Sequence, residues 1–393
     1  MLAATIRVTG DIDVAQECVQ DAFSRALTAW SKSGIPQRPG AWLTTVARRR
    51  AIDVLRHQSR QDRLFEHFVD PEVDPLPGEG GVFNMPDDRL RLIFTCCHPS
   101  LSIEAQVALT LRLLCGLTTS EVARAFLVSE TTMAARITRA KKKIKTSHIP
   151  YRIPTAAELP ARIGAVLSVL YLVFTTGHTA PIGADLMRRD LVERAVELAR
   201  MLRALLPDDV EVAGLLALVL LTDARHQTRT GSHGTLLLLS EQDRGQWNRT
   251  AIDEGIALVT RALAQQPPGR FTLMAGIAAV HARAPSWQDT DWTEIVALYD
   301  RLLEIWPSPV VALNRAVAVG LSEGPDAGLG ALDELSAESH LAGYSYFASS
   351  RADFLRRLGR TDESREAYQE ALTQSENDVE RAFLTRRLLE LEE

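Results

Sequence analysis

The chain has 393 residues, of which 46% are apolar, 24% charged and 6% aromatic, and this balance excludes collagen, coiled-coil and disordered proteins. Its net charge of −6 is unevenly divided: residues 1–150 carry 20 Lys and Arg against 16 Asp and Glu, whereas the remainder carry 24 against 34. The positive front indicates a nucleic-acid partner for that part of the chain alone.

Cysteine usage and hydropathy favour a cytoplasmic protein. Cys18, Cys96, Cys97 and Cys115 form no alternating disulfide framework, and no cationic and then apolar leader precedes them. No uninterrupted apolar run reaches the roughly 18 residues of a membrane span. We therefore expect a soluble protein in a reducing cytoplasm, with no membrane partner.

Nearly every periodic segment has helical spacing, so the chain is predicted to be all-α. The first helix is predicted to begin at Asp13, an N-cap with Gln16 three residues later, and to stop at Ser33 and Gly34. Its predicted apolar stripe comprises Ala15, Val19, Ala22, Phe23, Ala26, Leu27 and Trp30.

A second, basic helix is predicted from Pro39 to Arg63. Its apolar side comprises Leu43, Val46, Ala47, Ala51, Val54 and Leu55, and its outward arginines are Arg48, Arg49, Arg56, Arg60 and Arg63. Trp42 beside arginine-rich turns is a pattern that can stack on unpaired bases. An ordinary amphipathic helix with arginines facing water explains the pattern equally well.

A helix-turn-helix is predicted after a linker. Residues 69–86 are rich in Pro, Gly and acidic residues, which is typical of a mobile linker, and helices are predicted over residues 89–96 and 102–115. Two short helices follow, the first opened by the capping box from Thr118 to Glu121 and the second by Ser129.

The second of these helices, residues 130–145, contains four of the chain's five lysines. If Met133, Ile137 and Ile144 face inward, helical geometry places another set outward, and its members are Thr131, Ala135, Thr138, Arg139 and Lys142. This face can read base edges in a major groove while the lysine-rich end holds phosphates. The alternative is a solvated basic face on an ordinary helix.

Residues 151–393 are predicted to be helical throughout, with weak repetition at the roughly 34-residue period of tetratricopeptide (TPR) helix pairs. The predicted pairs are residues 310–321 with 326–335 and residues 344–358 with 362–373, the last pair turning at Gly359. Residues 379–391 are predicted to cap the stack.

Catalytic and metal sites are not indicated. Adjacent Cys96 and Cys97 before His98 lack the spacing of zinc ligands, so packing of small thiols is the better interpretation. The nine histidines are scattered, and no phosphate-binding glycine loop or nucleophile motif is present. We expect neither an enzyme nor a cofactor.

Two stretches resemble regions 2 and 4 of an extracytoplasmic-function (ECF) sigma factor. The resemblance rests on residues 19–23 (VQDAF), residues 42–53 (WLTTVARRRAID) and the helix-turn-helix, in the order and spacing of that family. The remainder is similar to the subgroup with a long TPR-like extension, through residues 92–99, 241–244 and 307–318.

The resemblance implies a dissociable subunit that docks on core RNA polymerase and selects promoters. It assigns polymerase docking to Gln20 and Asp21 in region 2. It assigns the −10 element to the helix predicted from Pro39 to Arg63, through Trp42, Thr45, Arg48 and Arg49. It assigns the −35 element to the helix-turn-helix, through Thr131, Thr132, Ala135, Arg136 and Arg139, to which outward Lys142 adds a phosphate contact. A flexible linker would let both basic modules reach their sites.

The implied domains are region 2 (residues 1–66), a linker (67–86), region 4 (87–150) and a TPR-like extension (151–393) that we expect to regulate the front modules by contact with them or with another protein. One alternative is a one-component regulator that combines the helix-turn-helix with a helical-repeat sensor. Another is a scaffold whose repeats do all the binding. The arginine-rich helix and the linker favour the sigma factor, since neither alternative needs them.

Overall fold

The computed structural model describes residues 1–62, 85–126, 128–180, 183–231, 234–265 and 267–392. Within these ranges the chain forms eighteen α-helices, two short 3-10 helices and two isolated bridges, with no sheet, so the all-α prediction is confirmed. The chain divides into two compact units, Met1–Val169 and Leu170–Glu393. The predicted linker, residues 69–86, lies outside the described residues except at its last two positions.

The first unit contains seven helices and the beginning of an eighth. These are α1 (Leu2–Thr9), α2 (Ile12–Ser33), α3 (Pro39–Asp62), α4 (Met85–Cys96), α5 (Ile103–Leu113), α6 (Thr119–Ala125), α7 (Glu130–Thr146) and α8 (Leu159–His178).

Small residues bring α2 and α3 together. Ala22 and Ala26 of α2 and Ala47 of α3 are at most 2% exposed, and Trp30 packs against Trp42 with ring centroids 5.5 Å apart. The contact with α3 is made by this alanine stripe. As a result, α2 buries fewer apolar side chains than the sequence pattern predicted.

Two predictions for α2 were wrong. Its N-cap is Asp11, whose carboxylate accepts hydrogen bonds from the backbone N–H groups of Asp13 and Val14, so the helix begins earlier than predicted. Phe23 and Leu27, which we placed in the apolar stripe, are 50% and 78% exposed. They lie one position around the helix from the alanines that make the contact.

The helix-turn-helix forms as the capping signals predicted. Thr118 and Glu121 complete the capping box of α6, and Ser129 caps α7 by accepting a hydrogen bond from the backbone of Thr132. The residues of α7 that are buried are Met133, Ile137, Ala140 and Ile144. The 3.6-residue period of these side chains therefore identified the inward face correctly.

The helices of the two predicted modules pack together within the first unit. Helix α1, which the sequence analysis missed, contacts α2, α3 and α4. Buried Asp88 pairs with Arg7 of α1 and with Arg91 of α4, and the Tyr151 hydroxyl donates hydrogen bonds to the carbonyl oxygens of Ala3 and Asp88. The two modules are thus joined by direct contacts in addition to the chain between them.

Helix α8 is long and apolar enough to cross a membrane, with a mean hydropathy of 1.6 over its best window, of which 33% is buried. Its sequence contains no long uninterrupted apolar run, because Arg162, Gly164 and Ser168 interrupt it. A core helix of a soluble protein has the same length and composition, so a single helix of this kind is weak evidence for a membrane span.

The second unit continues the helical pattern. Its remaining α-helices are α9 (Arg189–Leu205), α10 (Val210–Asp223), α11 (Arg249–Leu263), α12 (Arg270–Arg283), α13 (Trp292–Ile305), α14 (Pro309–Ser322), α15 (Pro325–Asp333), α16 (Ser345–Arg357), α17 (Thr361–Gln374) and α18 (Asp378–Leu389). The 3-10 helices are His226–Thr228 and Arg244–Gln246.

The last five helices match the predicted segments to within a few residues. Gly359 turns the chain between α16 and α17 with φ of 72°, a left-handed conformation that favours glycine. Buried Asn377, before α18, donates hydrogen bonds to the carbonyl oxygens of Ala180 and Asp185 and so ties the end of the chain to the beginning of the unit. The TPR-like assignment itself stays a prediction.

Glycines allow α14 and α15 to cross closely. A Cβ atom on Gly328 would lie 2.6 Å from the Cα of Gly320 and 2.6 Å from the Phe354 ring. We expect Gly328→Ala to lower the free energy of unfolding of the extension by about 2–3 kcal/mol, because backbone must move to admit the methyl group. Thermal unfolding followed by circular dichroism measures this change.

Gly330→Ala is the matched control, two residues along the same helix. Its added Cβ would meet no atom within 4 Å, so better helix propensity should leave stability unchanged or raised by up to about 1 kcal/mol. Equal melting temperatures for the two variants would contradict the close crossing.

Candidate nucleic-acid and polymerase interfaces

The outer face of α7 presents most of the residues assigned to the −35 element. Thr131, Thr132, Ala135, Arg139 and Lys142 are exposed, and Arg136 is half-buried. The opposite face holds the side chains that anchor the helix in its domain. An exposed row of this kind on a helix of 17 residues can lie in a major groove.

Local contacts orient several of these side chains. The Thr132 hydroxyl lies 2.8 Å from the Ser129 hydroxyl at the N-cap, so it takes part in the cap as well as facing solvent. The Arg136 guanidinium lies over the Phe126 ring, 5.5 Å from its centroid, and the Nε of Arg139 donates to the carbonyl of Ala135 at 3.2 Å. Preordered arginines lose less conformational entropy on binding.

Two lysines at the lysine-rich end of α7 contact carboxylates of the protein itself. Lys141 donates hydrogen bonds to Asp13, at 2.8 Å, and to Gln16, while Lys145 donates to Asp11 at 2.8 Å. These contacts join region 4 to the N-terminal end of α2. Among the described residues only Lys142 and Lys143 of this cluster have no ion-pair partner, so in this arrangement two of its four lysines hold protein carboxylates.

The titration of these groups is consistent with the contacts. The hydrogen bond from Lys145 to Asp11 raises the pKa of Lys145. Burial raises the pKa of Asp11, but hydrogen bonds from Lys145 and from the backbone of Val14 and Asp13 outweigh burial, so the net shift of its pKa is downward. Both groups are therefore charged at neutral pH.

On α3 the residues assigned to the −10 element divide by exposure. Thr45 and Arg49 are exposed, whereas Trp42 and Arg48 are half-buried. The Thr45 hydroxyl donates to the carbonyl of Ala41 at 3.0 Å, and the Trp42 ring packs on Trp30. The indole is therefore partly a core side chain. Arg50 and Arg56 are the other exposed arginines among the described side chains of this helix, and the predicted outward Arg60 and Arg63 lie outside them.

The polymerase-docking assignments lie on α2. Gln20 is exposed, and half-buried Asp21 forms ion pairs with Arg25 at 3.0 Å and Arg50 at 3.7 Å. Phe23 and Leu27 follow Gln20 at three and seven residues, so the three side chains share one face of the helix. The sequence pattern did not show that Phe23 and Leu27 are exposed, because their spacing is also that of a buried stripe.

The adjacent cysteines lie in the core of the first unit. Cys96 and Cys97 are fully buried, and burial raises the pKa of the Cys97 thiol to about 12, despite a contact between its sulfur and the Thr110 hydroxyl at 3.9 Å. These thiols pack as small apolar groups, as predicted. Within the described residues no three His, Cys, Asp or Glu side chains cluster as metal ligands.

Three family models match the chain in order. Residues 2–61 match sigma-70 region 2, residues 91–144 match sigma-70 region 4, and residues 162–263 match a family of unknown function, DUF6596. The first two matches contain the helices that present the exposed basic faces described above.

Two relatives cover different shares of the chain. An uncharacterized protein of Rhizobium meliloti is 40% identical over 98% of this chain and 92% of its own length. The "Probable ECF RNA polymerase sigma factor SigI" of Mycobacterium tuberculosis is 29% identical over 190 residues, which span 45% of this chain and 64% of SigI.

Three observations indicate the same family. They are the order of regions 2 and 4, the helix-turn-helix with its basic outer face and the similarity to SigI. The Rhizobium relative shares nearly the full length, including the extension. The chain therefore belongs to the extracytoplasmic-function sigma factors, which bind core RNA polymerase and promoter DNA and direct transcription initiation, and it carries an extension of unknown function after region 4.

Proposed function

We propose that this sigma factor divides promoter recognition between two helices. In this proposal α7 reads the −35 element through Thr131, Ala135 and Arg139, with Lys142 on a phosphate. The observation that carries it is the exposure of this row opposite the buried face of the same helix. Thr132 and Arg136 have supporting positions, since each is held by a contact within the motif.

Helix α3 is proposed to hold the −10 element, with exposed Thr45 and Arg49 contacting DNA directly. Arg48 and Trp42 are more enclosed, so their contribution requires the promoter strand to approach the groove between α2 and α3. In this division region 2 comprises residues 1–66, the linker 67–86, region 4 residues 87–150 and the extension 151–393, and no catalytic group or cofactor takes part.

Polymerase docking is proposed for the face of α2 that carries Gln20, Phe23 and Leu27, with Asp21 at its edge. Exposed large apolar side chains beside polar ones are typical of a protein interface. The ion pairs of Asp21 with Arg25 and Arg50 orient this edge of the helix. The clamp of core polymerase is the proposed partner of the surface.

Run-off transcription with purified core polymerase tests the proposal. The full chain should yield transcripts from specific start sites without another sigma subunit, which a one-component regulator or a scaffold cannot do. Absence of initiation at every promoter would refute it. The same assay, and promoter output in cells, tests the proposed regulation by the extension: a chain ending at Pro154 should give altered output, and unchanged output would exclude regulation.

The contacts between α7 and α2 compete with DNA for Lys141 and Lys145. We expect the double variant Asp11→Asn and Asp13→Asn to bind duplex promoter DNA several-fold more tightly at low salt, because both lysines become available to phosphates. Each additional phosphate contact steepens the dependence of log K on log salt by about 0.9, so a change near 2 is expected. Fluorescence anisotropy at several salt concentrations measures the slope.

The substitution keeps the cap of α2, since asparagine caps as well as aspartate. A control of equal charge change is Asp208→Asn with Asp253→Asn, two exposed residues of the second unit. If the dependence of log K on log salt changes equally in both double variants, the effect comes from net charge. That result would contradict competition between the α2 carboxylates and DNA for the two lysines.

A further inference from the structure

The second unit contains a cavity of about 390 Å³, partly open to solvent, that the assignments above do not use. Side chains from α8, α10, α12, α13 and α14, together with Trp247, form its wall. Most of this wall is apolar or aromatic, including Phe174, Leu218 and Ile277. Cavities of this volume and lining are typical of sites for small organic molecules.

One cation on the wall has no partner among the residues that the structure describes. Arg225 lines the cavity, and within the described part of the chain its guanidinium forms no hydrogen bond, ion pair or ring contact. Burial and the nearby charges of Arg229 and Arg244 lower the pKa of Arg225 to about 10. The lining residues include no Asp or Glu, so nothing in the wall neutralises this charge.

The two neighbouring arginines differ from Arg225. Arg229 donates to the carbonyl of His178 and to the Thr179 hydroxyl, and Arg244 donates to the carbonyls of His281, at 2.6 Å, and Ala284, at 2.7 Å. Both therefore hold structural elements together. Half-buried Arg225 lines the cavity without joining any structural elements in this way, which indicates a role other than folding.

Two neutral histidines also line the cavity, beside polar Thr175, Thr222 and Asn314. His178 is 8% exposed and stacks on Phe174, and the Nδ1 atoms of His178 and His281 are buried without a hydrogen-bond partner in the described structure. Burial is the main cause that lowers the pKa of each ring, and nearby arginines are the second. The pKa of His178 is about 2 and that of His281 is about 4. At neutral pH each ring is uncharged and offers one donor and one acceptor.

We propose that this cavity binds a small organic carboxylate, whose carboxylate group pairs with Arg225 and whose flat apolar body lies against Phe174 and Trp247. A guanidinium binds a carboxylate through two parallel hydrogen bonds, which suits a single unpaired arginine. A phosphate dianion would require more positive charge than one arginine supplies, since Arg229 and Arg244 are already engaged. The extension would then be a ligand-binding domain.

Isothermal titration calorimetry of the full chain tests the proposal with benzoate, phenylacetate and indole-3-acetate as probes. At least one carboxylate should bind saturably at one site, and the corresponding amide should bind at least 10-fold more weakly because it lacks the charge. Failure of all three carboxylates to bind would overturn the proposal. Inorganic phosphate that binds as tightly as the best carboxylate would also overturn it.

Variants place the binding in the cavity. Arg225→Gln should weaken binding of the best probe at least 10-fold and raise the melting temperature of the ligand-free protein, because an unneutralised charge is removed. A merely structural arginine would lower the melting temperature instead. Arg249→Gln, at an exposed arginine outside the cavity, should change neither quantity.

Ala278→Leu is a second variant that leaves the charge intact and narrows the cavity, since Ala278 lines it. It should weaken binding of the bulkiest probe, indole-3-acetate, more than that of benzoate. If Arg225→Gln does not fold, this variant still decides the question. Unchanged binding of every probe in Ala278→Leu would show that the site lies elsewhere and overturn the proposal.

Discussion

Replacing Arg139 and Lys142 with glutamate is expected to reduce promoter-specific run-off transcription at least about 100-fold. Both side chains are exposed on the outer face of α7. A lost base contact costs about 1–3 kcal/mol, and the reversed charges add repulsion from the phosphates. The measurement is run-off transcription with core polymerase, accompanied by anisotropy on duplex DNA that carries the −35 element.

This variant should bind core polymerase as the unchanged protein does, because its substitutions lie on α7 and the proposed docking face lies on α2. A control with the same change in charge is Arg249→Glu with Arg261→Glu, two exposed residues of α11. Transcription of the α7 variant within two-fold of this control would refute major-groove recognition by α7.

Leu27→Glu is expected to weaken binding to core polymerase by about 10- to 100-fold. The side chain is 78% exposed and adjoins Phe23, which is 50% exposed, on the proposed docking face. Burying a Leu side chain contributes about 1.5–3 kcal/mol, and a glutamate there would be desolvated in the complex. Anisotropy with labelled sigma factor and purified core enzyme measures the affinity.

Because Leu27 is exposed, the substitution should leave the melting temperature of the free protein unchanged. Thr28→Glu introduces the same charge at the next exposed position of α2, on a neighbouring face. It should have little effect on affinity. If both substitutions weaken binding equally, the effect comes from charge alone and the apolar docking face is wrong.

Local signals in the sequence predicted the first unit well where capping and periodicity decide structure. The box from Thr118 to Glu121, the cap at Ser129 and the spacing of Met133 and Ile137 identified α6 and α7 and the inward face of α7. Such signals depend on residues at most four positions apart, so they can be read without knowing the fold.

The predicted N-cap of α2 was Asp13, but the cap in the structure is Asp11, a residue of the same type. Asp11 and Asp13 are both good N-caps, and the structure uses Asp11, which follows α1 and Gly10. The exposure of Phe23 and Leu27 was missed for a related reason. A stripe of alanines and a stripe of larger apolar residues have the same period, and the approach of α3 decides which is buried.

Contacts between distant parts of the chain had no local signal. Lys141 and Asp13 are 128 residues apart, and the wall of the cavity comes from five helices of the second unit. The basic cluster was visible in the sequence, but the carboxylates that occupy half of it were not. Likewise the sequence shows Arg225 as one arginine among many, and only the structure separates it from its hydrogen-bonded neighbours.

All four cysteines lie in the first unit, and three of them, Cys18, Cys96 and Cys97, are buried. The second unit contains no cysteine. Half-buried Cys115 can react with a thiol-specific reagent directly, so the slower reaction of the three buried thiols reports local opening of the first unit, with no signal from the second unit. Comparing the rate of this reaction with and without a partner, DNA or a ligand would show how each of them changes the opening of the first unit.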